Sequence, residues 1–151
     1  MTTSDATHQT TTTADPSAVV RQFLESWSGS KATVLASFEE FFTPETVWEN
    51  VGMVTTVGID EARGLAETFP PGFETMTVDF KFIESRGRFV FTERVDDFYS
   101  ATGELIMSGR VAGVAEVVDG RIVEMREYFI ITEDPAAPSP RRPKTRRMTS
   151  A

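Results

Sequence analysis

The chain has 151 residues, 23 acidic and 15 basic, for a net charge of −8, with no cysteine and one histidine. Disulfides and thiol catalysis are excluded, and a Ser-His-Asp triad or an ordinary zinc or iron site lacks its usual groups, since His8 lies in a polar tail. Proton transfer falls to carboxylates and to two tyrosines, Tyr99 and Tyr128.

This length suits one domain with one core, and 40% hydrophobic residues with twelve phenylalanines are enough to build it. No segment approaches the roughly twenty apolar residues of a membrane span, and no basic-then-apolar leader pattern opens the chain. A soluble, cytoplasmic protein without membrane contact is the expectation. The acids fall before residue 135, whereas Arg141, Arg142, Lys144, Arg146 and Arg147 crowd the end. So acidic a body argues against nucleic acid as a partner. No calcium-loop spacing of acids appears, and neither a metal nor a cofactor is expected.

Residues 1–15 are Thr-rich without apolar periodicity and read as a disordered tail. Asp15 as cap, Pro16 at the first position and Val19, Val20, Phe23, Leu24 and Trp27 at helical spacing predict a helix that Gly29 ends. A second helix starts at Ser30 and runs through Val34, Leu35, Phe38 and Phe41 to Phe42, with Pro44 as its stop. "TVWENVG" is a short extended segment. Gly58 precedes a third helix carrying Ile59, Ala62, Leu65, Ala66 and Phe69, which "PPG" breaks.

From there the period is two. "ETMTVDFKFIE" alternates Met76, Val78, Phe80 and Phe82 with polar residues. "RFVFTERVDDF", "LIMSGRVAGVAEV" and "RIVEMREYFII" follow as strands, the last two joined by a tight Asp119-Gly120 turn. The phenylalanines are core by default. Residues 133–151, rich in Pro and Arg, read as a second disordered tail around a domain of residues 16–132. Helices followed by antiparallel strands indicate α+β: a curved sheet crossed by three to four helices, with a central pocket. Gly109 and Gly113 would help the long strand bend and leave room inside.

Alternation on the strand at 88–98 puts Arg94 and Asp96 side by side on one face, about 7 Å apart. On the last strand Glu127 shares a face with Met125, Phe129 and Ile131, an odd place for a carboxylate without compensation. A guanidinium, with five donors in a plane, is able to bridge Asp96 and Glu127 at once. Two carboxylates and one guanidinium sum to −1, and one retained proton makes the group neutral and tolerable in an apolar pocket. One protonated and one ionised carboxyl supply an acid and a base together. Epoxide opening needs that pair and no metal or covalent intermediate. The plain alternatives are a surface ion pair for Arg94 and Asp96, an edge-strand charge for Glu127 and a turn residue before Gly52 for Asn50. Met107, Gly109, Val111 and Gly113 share a face that suits cavity wall and core equally; the pocket reading takes Met107, Gly109 and Val111 with Trp48, Met125 and Phe129 as the wall.

"FTERVDDF", "GRIVEMREYF" and "VWEN" together resemble the limonene-1,2-epoxide hydrolase family, of the NTF2-like/SnoaL-like cone fold, over roughly residues 16–132. "TERVD" is the most specific part. The resemblance implies a one-step mechanism by an Asp-Arg-Asp trio, with a Tyr and an Asn holding the water. Carried across, Arg94 is the central Arg, Asp96 the acid that protonates the epoxide, and Asn50 the water-holding Asn. Glu127 stands in place of the second Asp, the base, and Trp48 in place of the Tyr. Glu for Asp moves the carboxylate by one methylene, about 1.5 Å. An indole N–H donates but cannot accept, so a water loses one anchor. The resemblance thus implies a cofactor-independent hydrolase of a small apolar epoxide, with an epoxide-opening cyclase or isomerase and a non-catalytic ligand-binding cone as rivals. It also implies a homodimer formed through the outer sheet face.

Overall fold

A computed structural model describes residues 14–133. Apart from Ala14, Asp15 and Glu133, the two segments read as disordered tails lie outside the described residues. Helix α1 (Pro16–Glu25) begins as its sequence requires: Asp15 accepts from the Ser17 backbone N–H at 3.1 Å, and Pro16 supplies no N–H where none is needed. Val19, Val20, Phe23 and Leu24 form its buried stripe. The chain then adds a two-residue strand, β1 (Gly29–Ser30), before Ser30 caps α2 (Lys31–Phe41).

Phe42 does not continue that helix. It opens strand β2 (Phe42–Asn50), longer than the extended segment expected from residue 46. The hydroxyl of Thr46 explains the switch, since it accepts from the Thr43 N–H at 2.8 Å and donates to the Ile122 carbonyl at 2.6 Å. Pro44 then sits inside the strand, where pairing with the last strand is broken between Phe42 and Val47; with no N–H, it is tolerated only at such an irregularity. A turn leads to β3 (Val54–Val57), also unanticipated, and then to α3 (Gly58–Thr68).

Gly58 starts α3 at φ +83°, and a Cβ there would lie 2.6 Å from the Pro44 carbonyl oxygen. Gly58→Ala therefore combines left-handed strain with a backbone collision. It should cost about 2–3 kcal/mol in a thermal or urea melt, against a few tenths for Ala at an ordinary exposed site.

Four long strands complete the sheet: β4 (Thr75–Arg86), β5 (Phe89–Tyr99), β6 (Leu105–Val118) and β7 (Arg121–Glu133). The β6–β7 turn holds Asp119 at φ +49° and Gly120 at φ +74°, the geometry that an Asp-Gly hairpin favours. Strand order is β1-β4-β5-β6-β7-β2-β3, antiparallel except for the parallel pair β2–β7. The sheet is therefore mixed, and three helices pack on its curved inner face.

Between helices and sheet sits an aromatic core. Phe23, Phe38 and Phe42 are fully buried, with Trp27 and Trp48 packed among them. Core membership does not extend to every phenylalanine. A bulge between Phe80 and Phe82 resets the alternation of β4, so Phe82 is 48% exposed and Ile83 takes the inner position. Phe89 and Phe91 likewise point outward on β5. No helix among the described residues is long and apolar enough to cross a membrane.

Candidate active site

The inner face of β5 carries Val90, Thr92, Arg94 and Asp96, all buried, while Phe89, Phe91 and Glu93 between them are exposed. On β7 Met125 and Glu127 point inward, and Tyr128 outward at 51% exposure. Because β6 lies between, Arg94 and Glu127 belong to strands that do not touch. The guanidinium spans the gap. Nε donates to both Asp96 oxygens at 2.9 and 3.1 Å, and Nη2 donates to Glu127 Oε1 at 2.5 Å. Arg94 is 1% exposed and the two acids 4% each, so the trio is shut away from bulk water.

This burial sets the protonation. Desolvation pushes the Asp96 carboxyl up to about 6; Arg94 pulls it down and Glu127 adds to the rise. Arg94 itself is held more firmly as a cation: burial works against its charge, but the two carboxylates outweigh burial. Asp96 thus holds its proton up to about pH 6, well above an ordinary aspartate, while Arg94 stays charged.

β2 brings two further groups. Trp48 donates from Nε1 to Glu127 Oε2 at 3.3 Å, so each oxygen of that carboxylate has its own donor. Its ring is fixed by Phe38, with centroids 5.4 Å apart, and by Trp27 at 6.0 Å. Asn50 stands directly across from Glu127 in the parallel pairing, and its buried Nδ2 has no hydrogen-bond partner. An unpaired buried donor is costly, and because Asn50 lines a cavity, a small polar group bound there is the partner it lacks.

The two acids, Trp48 and Asn50 border one cavity of about 110 Å³ between helices and sheet, with Arg94 behind the acids and not on the wall itself. Asp96, Glu127 and Asn50 are its polar lining; Trp48, Met107, Gly109, Val111 and Phe129 also face it. Met125, read as wall from its strand position, packs in the core instead and does not reach the cavity. Sequence reasoning missed the wall contributed by α2, α3 and their flanks, including Trp27, Val34, Leu65 and Phe73. Helical periodicity marks the inward stripe but does not say which of its members border a void. Trp27 has a second role, since Arg94 Cζ lies 5.6 Å from its ring centroid. Among the described residues no three of the His, Cys, Asp and Glu side chains converge in a way that would hold a metal ion.

The Limonene-1,2-epoxide hydrolase catalytic domain family matches this chain over residues 14–133. Among solved structures, an LEH-like epoxide hydrolase of M. tuberculosis superposes with a TM-score of 0.63 at 27% identity, covering 76% of this chain and 82% of that one. IdmH, a candidate polyketide cyclase from Streptomyces antibioticus, gives 0.62 at 20% identity over 76% and 91% of the two chains. A candidate SnoaL-like polyketide cyclase from Jannaschia sp. CCS1 gives 0.61 at 18% identity over 76% and 85%. The last two show the fold alone, the NTF2-like/SnoaL-like cone. With the family matching every described residue, 14–133, the protein belongs to the limonene-1,2-epoxide hydrolase family.

Proposed function

We propose that the protein adds water to a small, apolar epoxide in one step, without a cofactor. One observation carries this reading: a single buried guanidinium ties Asp96 to Glu127 on the wall of an otherwise apolar cavity. Glu127 takes a proton from the attacking water as the water oxygen bonds to a ring carbon. The ring C–O bond breaks, and its electron pair goes to the oxygen, which Asp96 protonates. The product is a diol, and returning one proton from Glu127 to Asp96 resets the site. Ring strain removes the need for a stronger electrophile. Arg94 holds both carboxyl groups in place throughout, and Asn50 Nδ2 offers the water a fixed donor. The fold of the M. tuberculosis relative and the family membership support the same chemistry.

Intramolecular epoxide opening is the second reading, and Trp48 favours it. Its N–H is turned to Glu127 and accepts nothing, so a free water has one anchor fewer here, whereas a substrate hydroxyl tethered next to the ring is held by its own chain and needs fewer. Turnover of an epoxide panel in ¹⁸O-water separates the two. Hydrolysis gives diol carrying one labelled oxygen; cyclisation consumes a hydroxy-epoxide with no label taken up. Ligand-dependent thermal shifts without turnover of either substrate type would reject both in favour of a binding protein.

A further inference from the structure

β6 runs under the bridging trio and contributes nothing larger than valine to it. Register places Asp96 opposite Gly109, Arg94 opposite Val111, and both Thr92 and Glu127 opposite Gly113. Each catalytic carboxyl therefore has a glycine as its neighbour on β6. Neither glycine has positive φ, so backbone conformation does not demand one there. Glycine inside a strand weakens it, which leaves space as the reason.

The two spaces differ. A Cβ at Gly109 would meet only the backbone oxygens of Asp96 and Ile130, both at 4.0 Å, so the ground beside Asp96 is open to the cavity. A Cβ at Gly113 would lie 3.0 Å from Thr92 Oγ1, 3.5 Å from the Arg126 carbonyl oxygen and 3.7 Å from Arg94 Nη1. Only the Thr92 contact is tight: the guanidinium would be in ordinary contact with the new methyl, and it is Thr92 that would have to give by a few tenths of an ångström. We propose that Gly113 is a positioning residue: its missing side chain leaves Thr92 the room it needs beside Arg94, where the guanidinium crosses β6 to reach Glu127. The proposal rests on the acid–base reading of the trio. Thr92 is buried and has one rotatable side-chain bond, so it yields to an added methyl only by turning against its own neighbours. Arg94 is the next residue on that face. A shift of the guanidinium by a fraction of an ångström separates the acid from the base without touching substrate.

Gly113→Ala tests this beside the double variant Gly113→Ala/Thr92→Ala, which removes the atom that the new Cβ would meet. The single variant should lose about tenfold or more in kcat with KM within about threefold, and the double should recover to near Thr92→Ala alone. A second readout needs no turnover. The buried guanidinium N–H signals of Arg94, identified by their loss in Arg94→Lys, should change in Gly113→Ala and return in the double variant. Failure of wild-type protein to open any epoxide would sink the hydrolase reading, and these signals would still decide the role of Gly113. Wild-type kcat with unchanged guanidinium signals in Gly113→Ala overturns the proposal. So does a double variant as impaired as the single. Should Gly113→Ala not fold, a folded double variant with restored signals supports the proposal, and an unfolded one overturns it.

Discussion

Arg94→Leu should remove turnover and about 3–5 kcal/mol of stability together, the largest loss expected from any single change in this protein. Three of the guanidinium's hydrogen bonds go to Asp96 and Glu127, and the residue is 1% exposed. Leucine fills part of the volume but leaves two carboxyl groups buried with no cation between them. They will then retain protons, so the loss should be smaller in acid and grow with pH. The wild-type protein shows the same sign more weakly. Asp96 has its folded pKa raised to about 6, so its stabilising contribution is complete below the ordinary carboxylate range and fades as pH rises through 6. Arg94→Lys isolates geometry from charge. An ammonium is a single point and cannot face Asp96 through one nitrogen and Glu127 through another. It should keep much of the stability yet lose about a hundredfold in kcat. Melts of the three proteins at pH 5 and pH 8, with kcat measured alongside, check both halves. Equal destabilisation by Leu at the two pH values would mean that the carboxyl groups are not what Arg94 compensates.

That trio was legible because a strand's side chains alternate without exception where the ladder is unbroken. On β5 the alternation alone puts Arg94 and Asp96 on one face, and on β7 it turns Glu127 inward among apolar residues. Where a bulge enters, the same rule misplaces residues, as it does for Phe82. Nothing local announces β1 or β3; two and four residues become strands only because β4 and β2 lie beside them to pair with. The pocket itself is expected from the sequence, but which inward residues border it was hidden for a related reason. Met125 and Val111 occupy equivalent inward positions on neighbouring strands, yet one packs in the core and the other borders the void. The difference lies in how far the helices stand off the sheet. Trp48 combines both cases: its β2 position is a core position, and only the pairing with β7 carries its N–H to Glu127.

Asp96→Asn and Glu127→Gln should each lower kcat by about a thousandfold while leaving the protein folded. Both amides nearly match the shape of the acids, and Arg94 keeps one carboxylate partner in either variant. Asparagine still donates a hydrogen bond to the ring oxygen but has no proton to deliver. Glutamine has no basic oxygen to take the proton of the attacking water. The two steps belong to one transition state, so the double variant should be little worse than either single one. pH distinguishes the roles. An acid must be protonated to act, and Asp96 sits at about 6, so wild-type kcat/KM should fall tenfold per unit above that pH. The residual activity of Asp96→Asn should lack this fall, whereas that of Glu127→Gln should keep it. The reverse assignment of the two limbs would exchange acid and base, leaving the trio intact but turning the direction of attack through the cavity around. Glu127→Asp adds a measure of reach: withdrawing the carboxylate by about 1.5 Å loosens it from both Arg94 and Trp48, and the drop in kcat reports how closely the cavity is built around the longer side chain.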